Sequence, residues 1–442
     1  MKMRTIITAF AIAAISGMPA AGQQADAQSY SLQQCIDIGL KHNIEILRSR
    51  TDIERSRAGK TEALGAFLPG VRASGQWTRY DRDQIGFRGD NFYVTRNSYN
   101  YSVQAGLTLF DGMRNFNTVD QSLLNFEASE LGYMRSRESI IYHVQQGYFN
   151  VLRFEQLMKV SESNLARSRG QLERIEEMNA VGSVPKADVF RQQVTVGNDE
   201  LAVLESRNNF RNALVDFQAL LGVNPRPDFQ LEKSDIPASI TDEDVAGYRV
   251  SIGEFTDMVN LALQSRTDYR QSELGVQSAE KSVSIASSGH WPTVSAFAQY
   301  SWNNLELADF DVYDRFYYGV SLNVPIFSNF QVSSNVQRSE MYLRDSEYAH
   351  EQLHRSIATE IMKALNNLEM AEKNVDISRK KLLSAREDQR IAQERYQLGG
   401  GTLLDQITAN ANLTLAEADV VNARFNYLTA QKQMDYQLGR NQ

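Results

Sequence analysis

Four stretches of the chain alternate apolar and polar residues with period two. Val71, Ala73, Gly75 and Trp77 alternate with Arg72, Ser74, Gln76 and Thr78, and Tyr101, Val103, Ala105, Leu107 and Leu109 do the same further on. Much later, Val294, Ala296, Ala298, Tyr300 and Trp302 form one apolar row, and Phe316, Tyr318, Val320, Leu322 and Val324 another. Successive side chains of a strand point to opposite faces, so each stretch predicts a strand with one apolar and one polar face.

Between and after these stretches the period changes to that of packed helices. Ile357, Ile361, Ala364, Leu368, Ala371, Val375, Ser378, Leu382 and Ala385 follow one another at steps of four and three. The same spacing occurs in an earlier stretch, at Ile140, Val144, Gly147, Val151, Phe154, Met158, Ser161, Leu165 and Ser168. Such a seam predicts left-handed coiled-coil packing. A returning helix is expected to bury Ile407, Ala411, Thr414, Ala418, Val421, Phe425 and Leu428. From Met113 to Asn179 there is no proline. A helix of that span would be about 100 Å long, beyond the width of a single globular core.

The chain reads as two copies of one plan. Leu68-Pro69-Gly70-Val71 recurs as Trp291-Pro292-Thr293-Val294, an offset of 223 from Pro69 to Pro292. Further on the offset is 217: Phe110 to Phe327, Gly182 to Gly399, Asp188 to Asp405, and Leu221-Gly222 to Leu438-Gly439. The two helical seams are related by this same smaller offset, Ile140 matching Ile357. A change of six residues between Pro292 and Phe327 is what a shortened loop would produce. Each copy predicts a helix, a hairpin (70–111 and 293–327), a very long helix, a glycine turn and a returning helix. Capping boxes at Ser31-x-x-Gln34 and Ser251-x-x-Glu254 are expected to start the two first helices. The copies are expected to span 28–223 and 251–442, with 224–250 as a polar linking or equatorial segment.

At the start of the chain, Lys2 and Arg4 precede an apolar run from Ile6 to Ile15, and Ala25-Asp26-Ala27 is a cleavage site of the Ala-x-Ala kind. Residues 1–27 are therefore expected to be a signal peptide. Its removal takes away Lys2, Arg4 and Asp26 and moves the net charge from −8 to −9, which argues against a nucleic-acid partner. Cys35 is the single cysteine, so no intrachain disulfide can form. It falls inside an amphipathic helix pattern and follows two glutamines, which argues against a lipid anchor there. Beyond residue 27 there is no apolar run long enough for a transmembrane helix. A membrane-spanning form would have to be a barrel.

Soluble hairpins resting on a core could also alternate in this way. Two features favour the membrane. Trp77, Tyr101, Tyr300 and Trp302 gather near the expected hairpin tips, as an aromatic girdle would. Four strands also cannot close a barrel, and lipid tolerates no open sheet edge, so the barrel would have to be shared between copies of the chain.

Taken together, the chain resembles the TolC family of outer-membrane efflux and secretion ducts from Ser31 to Gly439. Leu107-Thr108-Leu109-Phe110-Asp111-Gly112 and Val324-Pro325-Ile326-Phe327 resemble that family's strand-to-helix junctions. Val181-Gly182-Ser183-Val184 and Leu398-Gly399-Gly400-Gly401-Thr402 resemble its periplasmic turns. The resemblance implies a mainly helical protein with membrane β-structure: an α-barrel of long coiled-coil helices and a β-barrel of four strands per protomer, twelve per homotrimer. It implies an outer-membrane exit duct of a tripartite efflux or type I secretion system, embedded in outer-membrane lipid. Its partners would be a periplasmic adaptor (a membrane fusion protein) and an inner-membrane pump. Asp405 matches one aspartate of the family's constricting ring, whereas Thr408 stands where a second would be. Asp188 and Tyr396 match one latch pair, for which a carboxylate–phenol hydrogen bond is sensible. Gly401 and Ala187 replace the arginine and threonine of another latch, which implies a differently held gate. Gly182 and Gly399 match turns that dock the adaptor, though both would serve equally as helix C-caps.

His350-Glu351-Gln352-Leu353-His354 formally matches the zinc-hydrolase helix motif HExxH. It lies in line with the seam leading to Ile357 and Ile361, and Tyr133 and Arg137 occupy the equivalent positions of the first copy. Packing histidines are the better reading, with neither enzyme nor cofactor implied. The other functional class in play is a soluble periplasmic coiled-coil adaptor or scaffold, which leaves the four amphiphilic strands unexplained.

Overall fold

The protein is described from a computed structural model covering residues 29–88, 91–233, 236–237, 239–304, 307 and 314–440. The expected signal peptide lies outside the described residues. Strand β1 (Ser29–Tyr30) leads into α1 (Leu32–His42) and α2 (Ile44–Gly65), then β2 (Gly70–Arg88), β3 (Asn91–Phe110), α3 (Arg114–Ala180) and α4 (Lys186–Leu220). There follow β4 (Gln230–Leu231), α5 (Asp242–Ile252), α6 (Phe255–Ser265), α7 (Thr267–Ser287), β5 (Thr293–Asn304), β6 (Asp314–Asn323), α8 (Gln331–Gln397) and α9 (Leu403–Gln437). Helices α3 and α8 each contain 67 residues, and α4 and α9 each contain 35.

The α8 seam is buried as its spacing predicts: Ile357, Ile361, Ala364, Leu368, Ala371, Val375, Ser378 and Ala385 are all covered. In α3, Ile140, Val144, Val151 and Ser168 are buried and the remaining seam positions are half-covered. The widest core lies at mid-height, where α1, α5 and α6 pack against α3, α8 and the end of α9. Four helix ends close with the same hydrogen-bond pattern around a left-handed glycine. At Gly182, for example, the Ser183 N–H donates to the Met178 carbonyl at 2.8 Å and the Gly182 N–H to that of Asn179 at 3.0 Å.

Several expectations need correction. Along its first part the returning helix α9 buries Gln406, Ala409, Leu413 and Ala416, not the line through Ile407, Ala411 and Thr414, and Ala411 is exposed; further on, the expected Phe425 and Leu428 are buried. The first helix of each half is two helices, broken at Asn43 and at Arg266. The capping box at Ser31 is present, but Ser251 lies in the last turn of α5, where its hydroxyl donates to the Tyr248 carbonyl at 2.7 Å. Gly253, at φ 74°, then ends α5, and Glu254 starts α6 without a side-chain cap. Segment 224–250 is more than a link: β4 pairs in parallel with β1, and α5 is capped by Thr241 and Asp244.

The four long strands form one antiparallel sheet in the order β2-β3-β5-β6, with β2 and β6 at its edges. The register puts the four predicted apolar rows on a single face. Val71 lies beside Ala105, Ala298 and Tyr318, and Ala73 beside Val103, Tyr300 and Phe316. The opposite face is polar, with Ser74, Ser102, Ser301 and Arg315 in one cross-strand row.

Candidate functional site

The sheet's apolar face has no cover among the described residues. Val71 is 71% exposed, Trp77 59%, Phe316 60% and Tyr318 78%, exposures that no soluble core would leave on one continuous face. All four residues expected to form a girdle lie on this face: Tyr101 is paired with Trp302, Tyr300 sits one row away, and Trp77 is paired with Tyr99. The rings of Tyr300 and Trp302 are 4.5 Å apart. The indole N–H of Trp77 donates to Asn97 at 3.3 Å and the Tyr101 hydroxyl to the Leu307 carbonyl at 3.0 Å. In the first hairpin, however, the girdle is mid-strand rather than at the tip. Past a register shift between Arg79 and Gln84, β2 continues to Arg88, so the strand runs well beyond Trp77. Period two fails at that shift, which hid the extension from the sequence pattern.

At the far end of the long helices the two glycine turns stand side by side. Gly182 and Gly399 hold φ 77° and 74°, and a Cβ at either would meet nothing within 4 Å, so only backbone conformation calls for glycine there. Beneath the turns, Ile175, Tyr396 and Leu403 make a small core of their own. Thr402 caps α9. Its hydroxyl accepts from the Asp405 N–H at 3.2 Å, while the Asp405 carboxylate accepts from the Thr402 N–H at 3.0 Å and its hydroxyl at 2.8 Å. Those bonds favour the ionised form and hold Asp405 below the usual carboxylate range. Asp405 and Thr408 are both exposed and line one cavity of about 350 Å³.

Asp188 and Tyr396 are brought together on the wall of a second cavity, of about 590 Å³. The expected hydrogen bond between them is not made. The Asp188 carboxylate turns to Arg191 at 3.3 Å, and the Tyr396 hydroxyl is buried without a hydrogen-bond partner. Burial, reinforced by the nearby Asp188 charge, pushes the Tyr396 phenol above its ordinary value.

The two helical hairpins are joined instead by residues that sequence reasoning missed. Buried Gln171 of α3 and Gln406 of α9 exchange amide hydrogen bonds of 2.7 and 2.8 Å. Arg167 donates to Thr414 at 3.1 Å and Glu417 at 3.0 Å, and the Thr414 hydroxyl to Asn164 at 2.8 Å. Asn164 and Gln406 each stand one position before an expected seam residue, Leu165 and Ile407, so the period of the seam gave no signal for them.

The HExxH residues are used for packing. His350 is hydrogen-bonded to the Ser272 hydroxyl at 2.6 Å and stacks on Tyr269 at 4.7 Å, while Glu351 pairs with Arg355. Among the described residues no cluster of three or more potential ligands could hold a metal ion. Cys35 is fully buried in the mid-height core, and burial pushes its thiol up to about 12.

Residues 36–223 and 258–440 match the family described as "Outer membrane efflux protein". The chain belongs to that family. Among similar proteins, "Outer membrane protein TolC" of Escherichia coli (strain K12) is 22% identical, the match covering 96% of this chain and 85% of that protein. "Toluene efflux pump outer membrane protein TtgC" of Pseudomonas putida is 20% identical over 92% of this chain and 83% of its own length. The outer membrane protein VceC of Vibrio cholerae has the same fold, with a TM-score of 0.75 at 16% identity, covering 92% of this chain and 96% of that one. The CmeC outer membrane channel of Campylobacter jejuni gives a TM-score of 0.75 at 19% identity, covering 92% and 85%. As a member of the outer membrane efflux protein family, the chain is an outer-membrane transport duct and not an enzyme, which sets aside the soluble scaffold.

Proposed function

We propose that three copies of this chain assemble into one duct, with twelve strands closing a barrel in the outer membrane and twelve long helices forming a tunnel across the periplasm. The observation that carries this reading is the sheet. One face is apolar and open, the other polar, and both edge strands have unpaired backbone on their outer sides among the described residues. In lipid an unpaired backbone group costs several kcal/mol, so the edges must meet other strands. An even number of strands per chain lets β6 of one copy lie antiparallel to β2 of the next and keeps the alternation of direction around the ring.

The duct would serve a tripartite efflux or type I secretion system. A periplasmic adaptor would dock at the Gly182 and Gly399 turns, and an inner-membrane pump would supply the energy. Asp405 would contribute three carboxylates around the closed tip, with Thr408 adding none, and Asp188 and Tyr396 would meet their latch partners only in some gate states. Carboxylates around a water-filled constriction favour cations over anions. In planar bilayers the purified protein should conduct, with a cation preference that falls in Asp405→Asn. A folded protein that never conducts, or one whose selectivity ignores Asp405, would remove the reading.

A further inference from the structure

One cavity, of about 480 Å³, belongs to neither the sheet nor the tip. It opens between α3, the end of α4 and α9, at mid-height, and its polar lining comes from His143, Gln146, Asn150, Arg153, Asn426 and Thr429. None of these is acidic. Arg153 is the residue that needs explanation. One terminal nitrogen donates to the Asn150 side-chain oxygen Oδ1 at 2.6 Å and the guanidinium lies 5.0 Å from the Phe154 ring, but its Nε is buried with no hydrogen-bond partner. Among the described residues no carboxylate is in ion-pair contact with it. Burial alone pulls its pKa down, with no neighbouring charge acting to restore it.

A half-buried guanidinium without a counter-charge is a costly arrangement. Desolvating the ion is unfavourable, and the usual compensation is a carboxylate or phosphate held by the planar fork of donors. Stacking on Phe154 recovers part of that energy but supplies no negative charge. The second half shows that the fold does not require a cation here. Its equivalent of Arg153 is Met370, which is 59% exposed. The remaining polar groups of the cavity are amides, a hydroxyl and an imidazole, all able to donate. Positive charge, neutral donors and the absence of acid in the lining are the composition of an oxyanion site, and the volume is within the range that holds small ligands.

We infer that the Arg153 cavity binds an oxyanion, a carboxylate or phosphate group held by the Arg153 guanidinium with the Asn150 and Asn426 amides beside it. The group comes either from a solute or from an acidic side chain of a second copy of the chain. The site stands apart from the barrel and the gate; binding of a solute does not depend on the duct reading, whereas the second-copy source rests on the assembly proposed above.

The test uses the full chain in detergent after exhaustive dialysis into chloride buffer, with inorganic phosphate and citrate as probes in calorimetric titrations at constant ionic strength. Saturable binding is expected in the parent protein, weakened about tenfold or more in Arg153→Met and unchanged in Arg55→Met, which alters an exposed arginine. Arg153→Lys keeps the charge without the fork, is expected to bind with intermediate strength, and carries the test if the methionine variant fails to fold. If neither probe binds but Arg153→Met lowers the temperature at which the assembled chains separate, the carboxylate belongs to a second copy, and the site still stands. No binding, together with an assembly in Arg153→Met as stable as the parent or more so, would show that the cation is merely tolerated and would overturn the inference.

Discussion

In the first half of the chain the kink between α1 and α2 is made by Asn43; in the second half the kink between α6 and α7 is made by Arg266, at the equivalent position. Asn43 acts as a neutral clamp. Its side-chain oxygen accepts from the Glu45 N–H at 2.8 Å, and its amide donates to the Leu220 carbonyl at the end of α4, also at 2.8 Å. Arg266, only 2% exposed, works through charge. It pairs with Asp268 at 2.7 Å and Glu360 at 2.8 Å and donates to Gln437 at 3.0 Å, while the neighbouring Ser265 hydroxyl donates to the Leu438 carbonyl at 2.7 Å. Both kinks satisfy the carbonyl end of a returning helix and let a left-handed glycine, Gly222 or Gly439, pass close by. The bend fixes a shape and a donor. Whether the donor is an amide or part of an ionic network is open, and the second half uses that freedom to tie α7, α8 and α9 together.

The largest effect should separate these two chemistries. Removing one member of a buried ion network strands its partners, so Arg266→Met should lose about 3–5 kcal/mol. Asn43→Ala gives up a cap and one hydrogen bond, about 1–2 kcal/mol. Thermal unfolding in detergent would compare them, and equal losses would break the contrast. Next come the glycines. A Cβ on Gly222 would stand 2.5 Å from the His42 backbone oxygen, whereas on Gly439 the nearest atom is the Ser265 hydroxyl at 2.9 Å, with backbone no closer than 3.1 Å. With the left-handed backbone costing roughly 1–2 kcal/mol at each, Gly222→Ala should exceed Gly439→Ala by about 1 kcal/mol or more. Comparable melting temperatures for the two alanine variants would mean that the backbone at His42 yields easily.

A smaller effect is expected at the tip. Gln406→Ala leaves the Gln171 amide N–H buried without its acceptor, while the Gln171 oxygen keeps only the Arg174 guanidinium at 3.2 Å, for about 1–3 kcal/mol, and changing both residues to leucine should restore most of it. A double variant no more stable than the single one would show that the amide pair does not join the hairpins. The smallest effect should come from acid. Asp405 is held below its ordinary pKa, so its cap on α9 is fully present above the usual aspartate range and is lost as pH falls through that lowered value. Hydrogen exchange in the first turn of α9 should rise over that interval, and Thr402→Ala should remove the dependence. α4, whose N-cap is Pro185 with no side-chain hydrogen bond, offers the internal comparison and should respond less.

These pairs also show where the sequence was legible. The α8 seam could be read residue by residue because its large apolar side chains leave only one line with the right spacing. In α9 the lines through Ala409, Leu413 and Ala416 and through Ala411, Thr414 and Ala418 are both built largely of small residues, so period alone could not choose between them. The strands were plain because alternation needs only two classes of residue, and the register put all four rows on one face. The kinks were hidden because Asn43 and Arg266 sit within helical patterns that continue past them. Segment 224–250 read as a polar linking or equatorial segment because its composition masked Thr241-x-x-Asp244, itself a helix start. At the tip, the correspondence of Asp188 with Asp405 and of Gly182 with Gly399 was legible in the repeat, whereas Tyr396 was reached only through the family resemblance. The amide pair was not legible, because its partners lie 235 residues apart and only the fold brings them together.

Counting the chains in the detergent-extracted protein by native mass spectrometry tests the central claim most directly, since the proposed duct pairs the edge strands β2 and β6 with those of sister copies. Three chains per particle, with extraction requiring detergent, is the predicted result. A folded single chain that stays in solution without surfactant would contradict it.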